Sequence, residues 1–371
     1  MKSPVRHIYF LLMAGSLLLT GCQKDGVLIE VVESNMENPG NMLINFSNGM
    51  IDNPVGSRSV VSMLSDHNHS MGVWGWQYTP TVDTTRLFNN QIVSFDSNLA
   101  IWTYNPIKYW NRGSSYKFFA YSPHSSSVQN VSVRIDSVTH RIGIDGITLT
   151  GCNNVPANGP YDNPGNFSNV SDIDWLIDRA GQESTGITKS KITFIMQHIL
   201  SKISVRVFRD EMVADDQVVP IVVDSIMIGD FVCQGNFSQV LTQNPLVETQ
   251  TDIDSKISEW TLVDTLPRIT LNGIENATIP NHSTTYLMES LLIPQTVTPD
   301  QKIHIWYTVG RDNEYKTQNY AQTTLNTLFD IFVAGNSYVV NIVLNKSADM
   351  IRFDSGVSDW DSKAAYRIIE I

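Results

Sequence analysis

The sequence predicts an all-β protein made of two antiparallel β-sandwich domains, and three observations carry that expectation. Apolar and polar residues alternate with period two in run after run, as a strand with one buried face requires. Val131, Val133 and Ile135 alternate with Ser132, Arg134 and Asp136; Ile203, Val205 and Val207 with Ser204 and Arg206; Val340, Ile342 and Leu344 with Asn341 and Asn345. Between the runs lie clusters of turn residues, the densest at 153–165 with Pro156, Gly159, Pro160, Pro164 and Gly165. No apolar run at helical spacing persists beyond about three turns, the best helical candidate being Thr324 to Phe332. Many short strands between tight turns favour sandwiches, and 371 residues suit two of them.

Taken in order, the chain opens with Lys2, Arg6 and His7 ahead of an apolar run from Ile8 to Leu19. Twelve residues of helix reach about 18 Å, well short of a hydrocarbon core of about 30 Å, so residues 1–21 are expected to be an export signal and not a membrane span. Leu19-Thr20-Gly21-Cys22 resembles the lipobox of bacterial lipoproteins, in which the cysteine thiol takes diacylglycerol. The resemblance implies a lipidated, palmitate-bearing Cys22 and an outer-membrane location, and Cys22-Gln23-Lys24-Asp25 is similar to a short signal for export to the outer face of that membrane in Bacteroidetes.

Residues 22–41 are expected to link this anchor to the body, with 42–187 forming the N-terminal sandwich and 188–371 the C-terminal one. The boundary is placed near Ser184–Lys189 because Gly181 to Lys191 is polar and lacks alternation, and a strand pattern resumes at Ile192–Ile195. In the first segment of the body, Met42, Ile44 and Phe46 point to one face and Leu43 and Asn45 to the other. Asn48-Gly49 and Asn272-Gly273 carry the signature of hairpin turns.

Composition excludes several functions. With 25 Lys+Arg against 37 Asp+Glu the formal charge is -12, and no basic stripe is present, so a nucleic-acid partner is not expected. The commonest sequence-readable devices of catalysis are absent: there is no Gly-x-Ser-x-Gly, no phosphate-binding Gly-Lys-Ser/Thr loop and no His-Glu-x-x-His. The chain is expected not to be an enzyme and to need no cofactor or metal. His67 and His69 beside Asp66 would lie on one side of a strand, but no third ligand is near. Carboxylate pairs stand at Asp172/Asp174, Asp215/Asp216 and Asp359/Asp361, and a glycosidase would need two such groups about 5–10 Å apart in one cleft; Asp172 and Asp174, just before Trp175, read more simply as a turn followed by a strand. Trp74, Trp76, Trp102, Trp110 and Trp306 are either core residues or, where exposed, platforms for sugar rings. Cys152 and Cys233 are either thiols or one disulfide.

Four segments together resemble the fimbrillin family of Bacteroidetes, its Mfa-like branch. Lys108 to Pro123, reading KYWNRGSSYKFFAYSP, is similar to the family's Tyr-Trp, Gly turn and Phe-Ala-Tyr strand. Phe194 to Val207, Leu292-Ile293-Pro294-Gln295 with Ile303–Val309, and Ala334 to Leu344 followed by Val357 to Trp360 match in the family's order. The resemblance implies two transthyretin-like sandwiches and a lipoprotein precursor of type V pili or related surface adhesins, found in the fimbrium after processing. It also implies strand exchange: a protease cuts after an arginine, the first strand leaves, and a strand of another pilus subunit fills the groove. In this chain Leu43, Ile44, Asn45, Phe46 and Ser47 match the displaced strand and Arg58-Ser59 the processed bond. Arg58 is the only Lys or Arg between Lys24 and Arg86; the plainer reading is a solvated loop arginine in a chain that keeps its anchor. Tyr366, Arg367, Ile368, Ile369, Glu370 and Ile371 are the candidate donor strand or the last strand of their own domain. Only eleven residues follow Trp360, which suits a tip, accessory or anchor subunit as well as a shaft subunit. The alternative function is a surface lipoprotein that keeps its anchor and binds glycan, and a host or bacterial surface ligand fits either reading.

Overall fold

The computed structural model describes residues 42–51, 62–79, 82–136, 141–151, 172–178, 182–185, 191–209, 219–240, 259–265, 267–281, 284–310, 316–345 and 351–359. These residues are mainly strand, with little helix, as the alternation predicts. The helical elements among them are short: one turn at Leu64–His67 and 3-10 turns that include Ser125–Ser127 and Leu325–Thr327. The expected helix over Thr324 to Phe332 shrinks to the three-residue turn Leu325–Thr327, although Leu325, Phe329 and Phe332 stand at helical spacing and are all buried in one core.

The described strands form four sheets. The largest runs in the order Ser62–Met63, Met50–Ile51, Ile195–His198, Leu176–Asp178, Ser115–Ser122, Ser70–Thr79, Val82–Asp96 and Ile101–Thr103, with Gln182–Thr185 also on Ser115–Ser122. Two sheets of the second half enclose one apolar core. In the first, Thr285–Leu292, Ser201–Arg209, Asn336–Leu344 and Ile351–Asp359 lie side by side; in the second, Ile269–Asn272, Ile221–Phe231, Lys302–Val309 and Thr317–Thr324. Their inward residues, among them Ile203, Val205, Val223, Ile226, Ile305, Val340 and Ile342, interlock as a sandwich core should.

The fourth sheet joins sequence from both halves in the order Glu259–Leu262, Gln234–Val240, Arg141–Thr148 and Ser132–Asp136, with Gln234–Val240 paired to Arg141–Thr148. It covers the large sheet through a core that includes Trp74, Phe119, Tyr121, Ile144, Ile177, Phe237 and Ile293. Hydrogen bonding therefore crosses the position where the domain boundary was expected. Ile195–His198 pairs with Leu176–Asp178, and Gln182–Thr185, inside the expected linker, is a strand on Ser115–Ser122.

Strand Ser115–Ser122 explains why the large sheet carries apolar residues on both faces. Tyr116, Phe118 and Ala120 enter the core that holds Ile44 and Phe46, whereas Phe119 and Tyr121 enter the opposite one. Its neighbour Ser70–Thr79 needs glycine to lie this close: a Cβ on Gly72 would sit 2.1 Å from the Tyr121 ring.

Neither Asn-Gly pair forms the expected hairpin turn. Gly49 and Gly273 lack the positive φ such a turn requires. Gly273 instead lets its segment press into the core, where a Cβ would meet Ile226 Cγ2 at 2.2 Å. His67 closes the helical turn Leu64–His67, so the pair His67/His69 does not share the face of a strand.

Candidate functional site

The segment 42–51 is seated between two runs of chain rather than woven into one long ladder. At its start it runs antiparallel to Lys108–Trp110, with Ile44 N donating to Lys108 O (3.0 Å) and Trp110 N to Met42 O (2.8 Å). It then lies parallel to the segment that begins at Ile192: Ile192 N donates to Asn45 O (2.8 Å), Ser47 N to Ile192 O (2.8 Å) and Met50 N to Phe194 O (3.0 Å). Met50–Ile51 completes the seat by pairing with Ile195–Met196 on one side and Ser62–Met63 on the other. Leu64 N donates to Gly49 O (2.8 Å).

The side chains divide by face. Met42, Ile44, Phe46 and Ile51 are buried, while Leu43 and Asn45 are half-buried. Phe46 occupies a socket of four rings: Phe88 at 5.7 Å, Tyr104 at 5.6 Å, Phe194 at 5.7 Å and Phe118 at 6.3 Å between centroids. Edge-to-face pairs of this kind add about 0.5–1.5 kcal/mol beyond the burial of area. Tyr104 also clasps the backbone, its Oη donating to Ile44 O at 2.6 Å and accepting from Lys108 N at 3.3 Å. Burial raises its pKa to about 12, against a smaller lowering by its bond to the Lys108 backbone. Beyond Phe46, Asn48 Oδ1 accepts from Ser65 N (3.1 Å) and Trp102 Nε1 (3.3 Å).

Gly49 is buried and its position is tight: a Cβ there would lie 3.3 Å from Phe194 O and 3.4 Å from Leu64 Cβ and Cδ2. Tyr104, Phe88 and Gly49 are the contributors to this seat that sequence reasoning did not mark. The density of aromatics between Phe88 and Phe119 was the available signal.

Cys22, Arg58, Ser59 and the segment Tyr366–Ile371 lie outside the described residues, as do residues 22–41, Cys152, Asp215, Asp216 and Asp361. Cys233 is a buried thiol whose pKa burial raises. Asp172 and Asp174 serve different partners: Asp172 accepts from Thr150 N, Thr150 Oγ1 and Gly151 N, while Asp174 contacts His198 Nδ1 at 2.8 Å. Among the described residues no group of His, Cys, Asp and Glu is arranged to hold a metal ion. Trp74, Trp102 and Trp110 are core residues. Trp306 is half-buried and lies across from the exposed Tyr320, at 5.2 Å, with His304 stacked at 5.9 Å.

Among the described residues, the first strand of this all-β chain sits in a seat lined by rings and main-chain bonds. The chain belongs to the fimbrillin-like family, whose model matches residues 64–360. That family is one of structural fimbrial proteins and not of enzymes. The matched span begins after segment 42–51 and stops before Tyr366. Among solved structures, the chain is similar to a fimbrial protein from Bacteroides vulgatus at 14% identity and a TM-score of 0.58, over 86% of this chain and 99% of that one. A candidate cell-adhesion protein from Bacteroides uniformis aligns at 14% identity and a TM-score of 0.46, over 87% of this chain and 100% of that one. No curated protein matches the chain in sequence.

Proposed function

We propose that this chain is a structural, tip or accessory subunit of a cell-surface pilus or adhesin, exported as a lipoprotein through Cys22 and assembled by strand exchange after a cut at Arg58-Ser59. The observation that carries the reading is the seat of segment 42–51. Taking that segment away would leave the edge of Ile192–Met196 and the edge of Lys108–Trp110 facing one apolar trough, which is the geometry a strand of another subunit completes. Family membership supports the pilus or adhesin part of the reading.

Burial of Met42, Ile44 and Phe46 is worth about 1.5–3 kcal/mol each, so a chain cut after Arg58 is expected to keep its strand until another replaces it. Exposed strand edges invite pairing, and the cut would time that exposure. The N-terminal residue of the protein recovered from the cell surface tests the scheme. Ser59 is expected from assembled fibres and acylated Cys22 from the precursor; fibres in which every copy begins at Cys22 refute the exchange.

A second reading, a lipoprotein that keeps its anchor and binds glycan, draws on the ring cluster of His304, Trp306 and Tyr320 beside the exposed amides of Gln318 and Gln322. Retarded migration in gels containing a neutral polysaccharide, lost in Trp306→Ala, would favour it.

A further inference from the structure

We infer that the seat of segment 42–51 rejects the C-terminal segment of another copy of this chain and takes its strand from a different subunit. The inference rests on the strand-exchange reading and deepens it by stating what the incoming strand must look like. Three constraints come from the seat. The positions of Met42, Ile44 and Phe46 are buried and alternate, so the strand needs an apolar residue at each. The third of these faces the four-ring socket, which only an aromatic side chain fills. Three residues further on, at Gly49, a Cβ would already press the backbone carbonyl of Phe194 at 3.3 Å and touch the fully buried Leu64 at 3.4 Å, so a side chain branched at Cβ is disfavoured there. A suitable strand therefore reads apolar-x-aliphatic-x-aromatic-x-x-Gly-x-aliphatic, running parallel to Ile192–Met196.

The segment 362–371, SKAAYRIIEI, fails this pattern in each register. With Tyr366 in the socket, Ile371 falls on the position of Ile51, but Ile369 falls on Gly49 and Ser362 on Met42. With Ile368 in the socket, Ile371 falls on Gly49. With Ile369 there, Arg367 takes the buried position of Ile44; with Ile371 there, Arg367 takes that of Met42. Each register thus puts a β-branched side chain against the Phe194 carbonyl or a guanidinium into an apolar trough, and the latter is costly for an unpaired charge. Copies of this chain would then join other subunits and not polymerise with themselves.

The test uses the secreted chain from residue 22 onwards, nicked with trypsin after Arg58 and still holding its strand. Fluorescein-labelled peptides are added in excess, and the label carried by the protein is measured by size exclusion. The peptide of residues 40–53 is expected to exchange in. The same peptide with Gly49→Ile or Phe46→Ala, and the peptide of residues 360–371, are each expected to enter at least tenfold less. Equal entry of the 360–371 peptide and the 40–53 peptide overturns the inference and leaves strand exchange standing. Failure of the 40–53 peptide itself to enter overturns strand exchange at this seat, and the inference with it.

Discussion

Segment 42–51 and strand Asn336–Leu344 both lie between neighbours and both bury large apolar side chains, yet they are held in different ways. Asn336–Leu344 pairs along eight residues in parallel with Ser201–Arg209 and along nine with Ile351–Asp359, and it is buried at every position from Ser337 onward. Segment 42–51 has two isolated bridges, two two-residue ladders at Met50–Ile51 and alternating burial. A continuous ladder distributes the hold, so the strand comes out only with its whole sheet. A hold gathered at one socket and a few bonds lets a segment leave while the rest stays folded, which is the behaviour expected of the low-stability units within a protein.

The most damaging test of that contrast is Phe46→Ala. Emptying the four-ring socket is expected to cost about 3–5 kcal/mol. The cost should fall on the segment alone: amides of Ile44, Ser47 and Met50 are expected to lose about 100- to 4000-fold of their hydrogen-exchange protection, while those of Tyr338 to Val343 keep theirs. Equal loss in both regions would mean that 42–51 cannot be released separately.

Tyr104→Phe should act on the same segment with a smaller effect. It keeps the ring in contact with Phe46 but removes the donor to Ile44 O, which costs about 1–3 kcal/mol when a buried acceptor is left alone. The phenol also makes the hold depend on pH. Its pKa in the folded protein is raised to about 12, burial being the main cause, so folding favours the neutral form. The stabilisation is complete below the unfolded value near 10 and is lost as pH rises through 12. Release of the nicked segment, followed by size exclusion, is expected to accelerate between these values in the wild-type chain, and the Tyr104→Phe variant should lack that step.

How far the sequence could be read follows the same division. Period-two alternation made the all-β class and the strands around Val133, Val205 and Val340 legible, but not their burial: Ser204, Arg206 and Asn341, expected on an open face, are buried as well, because Ser201–Arg209 and Asn336–Leu344 lie inside their sheet. The same rule separated Met42, Ile44 and Phe46 from Leu43 and Asn45. What it missed depends on contacts distant in sequence. Gly49 looks like a turn residue, and only the approach of Phe194 and Leu64 explains it as a packing residue. Gln182–Thr185 is polar, and its place in the sheet comes from main-chain bonds to Ser115–Ser122 that no side-chain pattern announces. The pairing of 141–148 with 234–240 likewise joins parts about ninety residues apart. The socket around Phe46 was half visible, since Phe118 and Phe194 fall in recognisable segments and Phe88 and Tyr104 do not.

The mildest test sharpens the contrast from the other side. Ile342 is fully buried, opposite Val207 in one neighbour and Phe353 in the other. Ile342→Val removes one methylene from that core, a change expected to cost about 0.5–1.5 kcal/mol. That is comparable with the effect of Tyr104→Phe at its weaker end, but its distribution should differ. Because Asn336–Leu344 is bonded along its full length on both sides, no short piece of it can leave, and the lost energy must appear in the opening of the whole second-half sandwich. Urea unfolding should therefore show a lower midpoint with an unchanged slope, and amides on Ser201–Arg209 and Ile351–Asp359 should lose protection by the same factor as those of Asn336–Leu344. The exchange of segment 42–51 should not move. A loss confined to Asn336–Leu344 would show that a long ladder is as separable as a socketed strand, and the distinction on which the release of 42–51 depends would fall.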